Sequence, residues 1–297
     1  MVDNGVLFSV VVLTYNQKDF INETLKNIIK QKHKYKYEIL VGDDCSIDGT
    51  QKIIEQYTIK YPYVIKPVYN KKNLGAMANF YATAARAKGK YLMFCSGDDY
   101  WLPGKVVKQI EFMERNLDFA FCYSKANVDG GQGFGSTKYT GSNLLDFKDL
   151  YYKGNKIPAL TVCARMDFFK KYLQEVNPQE KNWLMEDYPF YLYAAFESKI
   201  YFINETLAVY RVVENSLSHQ VDINKELRFE KSVYDIKKFF ADKYSLKIGS
   251  WNEKRICKKI KRARKQSVLC EKIKRLLKCF VPYGFIVLKR RMDRCYD

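Results

Sequence analysis

Two pairs of adjacent aspartates, Asp43-Asp44 and Asp98-Asp99, each stand just beyond a short apolar run, Tyr37 to Val41 and Tyr91 to Cys95. Carboxylates can hold a hard cation, accept from N–H or hydroxyl donors, or take a proton. A single Asp at such a place reads most simply as a turn or a helix cap. Two pairs in equivalent positions read instead as one site. A third acidic pair, Glu186-Asp187, opens a helical pattern, where negative charge suits a helix N-terminus whatever else it does.

The elements that must position these groups follow from periodicity. Leu7 to Leu13 is short, β-branched and nearly all apolar, the pattern of a strand buried on both faces of a parallel sheet. A helix over Lys18 to Lys32 and a strand over Tyr37 to Val41 make the first β-α-β unit. Asp48-Gly49-Thr50-Gln51 matches a capping box for a helix ending near Tyr61, before Pro62. The spacing then predicts a strand over Val64 to Tyr69, a helix over Gly75 to Ala87, a strand over Tyr91 to Cys95, a helix over Lys105 to Arg115 and a strand over Phe119 to Tyr123. Alternating strands and helices imply an open α/β sheet, with both Asp pairs facing one crevice at the carboxyl ends of its strands. Gly130 to Gly135 breaks the pattern as a lid or a plain loop. Beyond it come a strand at Ala159 to Ala164, helices at Asp167 to Leu173 and Glu186 to Phe196, and a strand at Leu207 to Val212.

A chain of 297 residues, 47% hydrophobic, can bury a sizeable core. Its formal charge of +18 is uneven, with about two thirds of the excess carried by the stretch from Glu253 to the end. There, Ile256, Ile260, Ile273, Leu276, Leu277 and Phe280 recur at helical spacing among Lys and Arg, a basic amphipathic face suited to an anionic membrane surface. A basic appendage on a mildly basic body argues against nucleic acid as the partner. The eight Cys form no C-x-x-C pair, and the apolar run from Val6 to Leu13 is too short to span a membrane. The expected place is therefore cytoplasmic, peripheral at the inner face of the cell membrane.

Three motifs in order, Val11-Val12-Leu13-Thr14-Tyr15-Asn16, then Gly42-Asp43-Asp44-Cys45-Ser46-Ile47-Asp48-Gly49-Thr50, then Gly97-Asp98-Asp99-Tyr100-Trp101, resemble the family 2 glycosyltransferases over about residues 6 to 220. Cys45 departs from the family, which favours Gly or Asn there. The resemblance implies a GT-A fold: a Rossmann-like nucleotide-binding α/β sheet with helices on both faces, here followed by a C-terminal helical basic tail. It divides the chain into a catalytic domain, 1–220 (about 1–125 for the nucleotide sugar, about 126–220 for the acceptor), and a membrane-associating tail, 221–297. By the same resemblance Thr14, Tyr15 and Asp44 flank the base and ribose, Asn73 belongs to a loop closing over the base, and Asp98 takes the ribose or supports the metal. Asp99 is then the ligand of a divalent metal, Mn2+ or Mg2+. Trp183-Leu184-Met185-Glu186-Asp187 resembles the family's acidic element, which makes Asp187 the base, Glu186 its neighbour and Trp183 a wall for the sugar or else a core residue. Tyr210 to His219 resembles the closing segment, which brings Arg211 or His219 to the diphosphate.

The resemblance thus implies an inverting, metal-dependent transferase. It would move sugar from a nucleotide-diphosphate donor, UDP-linked by preference, to a lipid-linked or oligosaccharide acceptor in surface polysaccharide synthesis such as capsule or lipopolysaccharide. Asp99, as a crevice carboxylate, is expected to be exposed. Two rivals stand beside this reading: a nucleotidyltransferase, which would want a Gly-rich basic loop where Tyr15-Asn16-Gln17 stands, and a nucleic-acid-binding protein using the tail.

Overall fold

The computed structural model describes residues 5–130, 138–140, 146–212 and 223–246. The chain forms two units, residues 1–220 with 235–246, and residues 221–234 with 247–297. Of the second unit only residues 223–234 are described, as the first part of a helix; the basic amphipathic stretch from Glu253 and most of the Gly130 to Gly135 segment lie outside the described residues.

The first half of the larger unit is β1 (Phe8–Thr14), α1 (Lys18–Ile29), β2 (Tyr37–Asp43), α2 (Thr50–Lys60), β3 (Ile65–Tyr69), α3 (Ala76–Ala84), β4 (Tyr91–Ser96), β5 (Tyr100–Trp101) and α4 (Lys105–Arg115). The second half adds β6 (Phe119–Gly130), β7 (Lys138–Thr140), α5 (Phe147–Lys153), β8 (Cys163–Arg165), α6 (Met166–Val176), α7 (Asp187–Glu197), β9 (Lys199–Val212) and, from residue 235 on, α8 (Ile223–Lys243). One sheet joins the strands in the order β3-β2-β1-β4-β8-β6-β9-β5, with β7 on β6. β1 lies parallel between β2 and β4, in register from Phe8 opposite both Tyr37 and Tyr91. Val10, Val11 and Val12 are buried, as a strand covered on both faces requires. Because the chain leaves β1 toward β2 and β3 and then returns to β1's other side as β4, a crevice opens at the carboxyl end of β1. The ends of β1, β2 and β4 carry Thr14, Asp43 and the Asp98-Asp99 turn to it.

Three details differ from the sequence reading. The expected strand at Ala159 to Ala164 is a 3-10 turn over Ala159–Thr161 followed by the short β8, because Thr161 turns both its N–H (2.9 Å) and its hydroxyl (2.7 Å) back to Pro158 O. The strand beginning at Phe119 runs on to Gly130, held by its parallel pairing with β9. The helix at Thr50 has no capping box: Gly49, at φ +103, is its N-cap. Asp48 binds Thr50 N and Lys18 N (2.9 and 3.0 Å) while Gln51 reaches Asp43 (2.6 Å).

Candidate active site

On the β1–β2 side, the loops are laced by short side chains. Asn16 N donates to Ser46 Oγ (2.9 Å), Ile47 N to Asn16 Oδ1 (2.9 Å) and Gln17 N to Thr50 Oγ1 (2.9 Å). Cys45 takes φ +66, the left-handed region that Gly or Asn enters most readily. Thr14 is buried and its carbonyl accepts from Asp44 N (3.0 Å), whereas Tyr15 is 48% exposed at the rim.

The Asp44 carboxylate accepts from Asn70 Nδ2 (2.9 Å), Leu74 N (2.8 Å) and Gly75 N (2.8 Å), so it fixes the loop entering α3. Three donors leave about one of its roughly four lone-pair sites for a base or ribose. Exposed Asn73 closes the same loop through Gly75 N (3.1 Å). α3 is seated by Gly42, where a Cβ would fall on Thr83 Oγ1 and 2.7 Å from Asn79 Oδ1. These hydrogen bonds bring Thr14, Asp44 and the Asn73 loop together.

The Asp98-Asp99 turn lies at the other lip. Contrary to the expectation of an exposed carboxylate, Asp99 is 3% exposed. Its Oδ1 accepts from Arg211 N (2.9 Å). Burial, and then the Asp98 charge, hold its acid well above the usual carboxylate range, against the opposing pull of Arg211. Its Oδ2 accepts no hydrogen bond from the described residues. Such a pair fits a hard divalent cation, which would relieve both the burial of charge and the repulsion. No cluster of three or more His, Cys, Asp or Glu meets here among the described residues, so other ligands would be phosphate and water oxygens, as Mg2+ and Mn2+ accept. Arg211 reaches this turn from β9, donating from Nη1 to Asp98 O (3.0 Å) and pairing with Glu23.

The third acidic pair begins α7. Asp187 Oδ2 accepts from Asn155 Nδ2 (2.8 Å) and its Oδ1 from Tyr188 N (2.6 Å). Burial and then the Asp187 charge push the Glu186 acid up to about 7; burial also raises Asp187, against its hydrogen bonds. A carboxylate pair whose acids are both held above the usual range is suited to taking a proton.

Trp183 requires a correction: it is 6% exposed, with its ring against Phe239 (5.4 Å) and Phe240 (6.4 Å) of α8, so it is a core residue and not a sugar wall. Trp183→Ala is expected to lower the unfolding free energy by about 3–5 kcal/mol, read by denaturant titration, with nucleotide affinity unchanged. Wild-type stability with weakened binding would restore the sugar role. His219 lies outside the described residues. Sequence reasoning missed Glu23, Thr24, Asn70 and Asn155.

The sequence pattern of Glycosyl transferase family 2 matches residues 9–176. A putative teichuronic acid biosynthesis glycosyltransferase of Bacillus subtilis is 32% identical over 216 residues, 71% of this chain and 81% of that protein. An Escherichia coli UDP-Glc:alpha-D-GlcNAc-diphosphoundecaprenol beta-1,3-glucosyltransferase is 36% identical over 123 residues, 41% and 47% of the two chains. The chain spans 35% of the length of a Mycobacterium tuberculosis protein to which it is 36% identical over 121 residues. Among solved structures, S. aureus TarS in complex with UDP-GlcNAc superimposes with a TM-score of 0.60 at 20% identity, covering 78% of this chain and 66% of that one. A Pyrobaculum calidifontis mannosyltransferase in complex with GDP-Man and Mn2+ gives 0.56 at 15%, covering 85% and 68%. At these identities the likeness is one of fold.

Proposed function

The chain belongs to glycosyl transferase family 2, and on that footing we propose that it is an inverting transferase that moves a sugar from a UDP-sugar to an acceptor hydroxyl in surface polysaccharide synthesis. What supports this reading is the placing of acidic groups on one GT-A frame: Asp44 and Asp98-Asp99 at strand ends beside the crevice, and Glu186-Asp187 at the start of α7. Tyr15 and Asp44 hold the base, and Asp98 meets the ribose or steadies Asp99. A divalent cation held by Asp99 would neutralise the charge that develops on the departing diphosphate. Asp187, oriented by Asn155, takes the proton of the acceptor hydroxyl, whose oxygen attacks the anomeric carbon as the diphosphate leaves from the opposite face; Glu186 holds the neighbouring charge.

The UDP donor is supported by the E. coli relative's name and by the UDP-GlcNAc bound in TarS, and a lipid-linked acceptor by that relative's diphosphoundecaprenol substrate. The decisive experiment screens nucleotide sugars for Mn2+-dependent hydrolysis and thermal stabilisation. Stabilisation by one UDP-sugar, abolished by chelation, is the expected result, and no response to any nucleotide sugar would overturn the reading.

Among the described residues no helix is long and apolar enough to cross a membrane. The basic composition of residues 253–297 supports attachment to an anionic leaflet. Deleting those residues is expected to abolish co-sedimentation with phosphatidylglycerol vesicles at physiological salt while sparing hydrolysis of the donor. Equal sedimentation of both forms would remove the tail from this role.

A further inference from the structure

The turn bearing Asp98 and Asp99 is held from outside by two consecutive residues of α1 and one of β9. Thr24 is fully buried, and its Oγ1 lies 2.8 Å from Gly97 O and 2.7 Å from Asp99 O, so its single O–H, shared between the two carbonyls, ties α1 to the turn. Glu23, the residue before it, pairs with Arg211 Nη2. Arg211 then holds the turn at two points, Asp98 O through Nη1 (3.0 Å) and Asp99 Oδ1 through its backbone N (2.9 Å). Its Nε lies 3.9 Å from Asp129, and its guanidinium stacks over Tyr100 at 4.6 Å with Phe20 at 5.5 Å. Each nitrogen of the fork faces an acceptor, and the side chain is only 13% exposed.

We propose that Glu23, Thr24 and Arg211 form a positioning clamp that aims the second oxygen of Asp99 at the cation, and that Arg211 acts through the acidic pair and does not touch the leaving diphosphate. This rests on the reading of Asp98-Asp99 as the cation site. The guanidinium's bonds to Glu23 and Asp98 O and its place over a ring face fix it on the turn, so most of its contacts are spent there and not on phosphate. Lysine would not replace it, since a point charge on a flexible stem cannot meet Glu23 and Asp98 O in one fixed geometry. Residues that orient a ligating carboxylate commonly alter metal affinity about 10–100-fold when changed.

The test measures Mn2+ affinity of the full chain by the paramagnetic resonance of free Mn2+, with saturating UDP or, where it binds more tightly, GDP. Nucleotide affinity is measured separately by calorimetry in Mn2+ and in EDTA. For Arg211→Lys, Mn2+ affinity is expected to fall about 10-fold or more, and for Glu23→Gln and Thr24→Val by a smaller factor in the same direction. Nucleotide affinity in EDTA stays within about twofold of wild type. Glu23→Gln is isosteric and half-exposed, so it keeps the test valid where Thr24→Val unfolds. Equal loss of nucleotide affinity with and without Mn2+ in Arg211→Lys would make Arg211 a phosphate contact, and unchanged Mn2+ affinity in Arg211→Lys and Glu23→Gln would reduce the clamp to plain packing. Asp99→Asn, measured alongside, separates the two levels. If it retains Mn2+ binding, the cation site itself is misassigned and the clamp falls with it; if it loses binding while the clamp variants do not, the clamp alone is wrong.

Discussion

Asp99→Asn is expected to lower Mn2+-dependent transfer by at least ~10²-fold, the scale of removing one electrostatic stabiliser from a reacting centre, while the metal-free protein melts no lower than wild type at pH 7. The two halves of this result have one cause. Asn keeps an oxygen in place to accept from Arg211 N but carries no charge for a cation. In metal-free protein the buried Asp99 acid lies above its unfolded value, so the ionised side chain opposes folding above the unfolded pKa of about 3.9, and that opposition fades as pH falls. Removing the charge removes the penalty at pH 7. Melting scans in EDTA across pH 4 to 8 should therefore be flatter for the variant than for the parent. A variant that melts far below wild type and still turns over with Mn2+ would mean that the buried carboxylate is structural and the cation sits elsewhere.

Asp187→Asn is expected to reduce transfer by roughly 10²–10⁴-fold, the contribution of a positioned general base, with nucleotide affinity retained. The pH profile adds a sharper check. A base works when deprotonated, and burial raises both members of the Glu186-Asp187 pair, with Glu186 near 7. The acid limb of kcat/KM should accordingly lie above the ordinary carboxylate value of about 4. Glu186→Gln removes the more raised group and should move that limb to lower pH while sparing much of the rate at pH 8. A limb near pH 4 in the wild type, untouched by Glu186→Gln, would place the base on another residue.

The strands that build the crevice were legible because each is a short β-branched run between turn residues, and β1 and β2 begin within one residue of where the sequence puts them. The Asp pairs were legible by repetition at equivalent strand ends. What could not be read was partnership across long separations. Nothing near Asn155 says that its amide will meet Asp187, 32 residues on. Thr24 did leave a trace: it interrupts the buried stripe Ile21, Leu25, Ile28 of α1 with a hydroxyl, and a polar group on an apolar face needs a partner. Trp183 misled because an aromatic beside an acidic motif reads alike whether it faces ligand or core, and only the packing of α8 decides. The exposure expected of Asp99 failed because β9, whose pairing with β5 is invisible in the sequence, brings the Arg211 backbone N–H to its carboxylate.

The pairing of β5 with β9, Tyr100 opposite Val209, also fixes an order of assembly. The ties that shape the nucleotide lip, Asn16 to Ser46 and Asp44 to Gly75, join residues 30 and 31 apart, whereas Asp99 waits for Arg211 across 112. Loop-closure entropy makes the longer tie only about 1 kcal/mol dearer, so equilibrium stability hardly notices the difference. Biosynthesis does. A chain emerging from the ribosome can complete β1 to β4 and the β1–β2 loops when little more than its first third has been made, and Thr24 can already meet the Asp98-Asp99 turn, yet the Asp99 carboxylate lacks its Arg211 partner until residue 211 arrives. The last described strand of the sheet thereby completes the turn: on the proposed reading, a chain cut before β9 would keep the loops around Asp44 and lack the backbone N–H that fixes the Asp99 carboxylate.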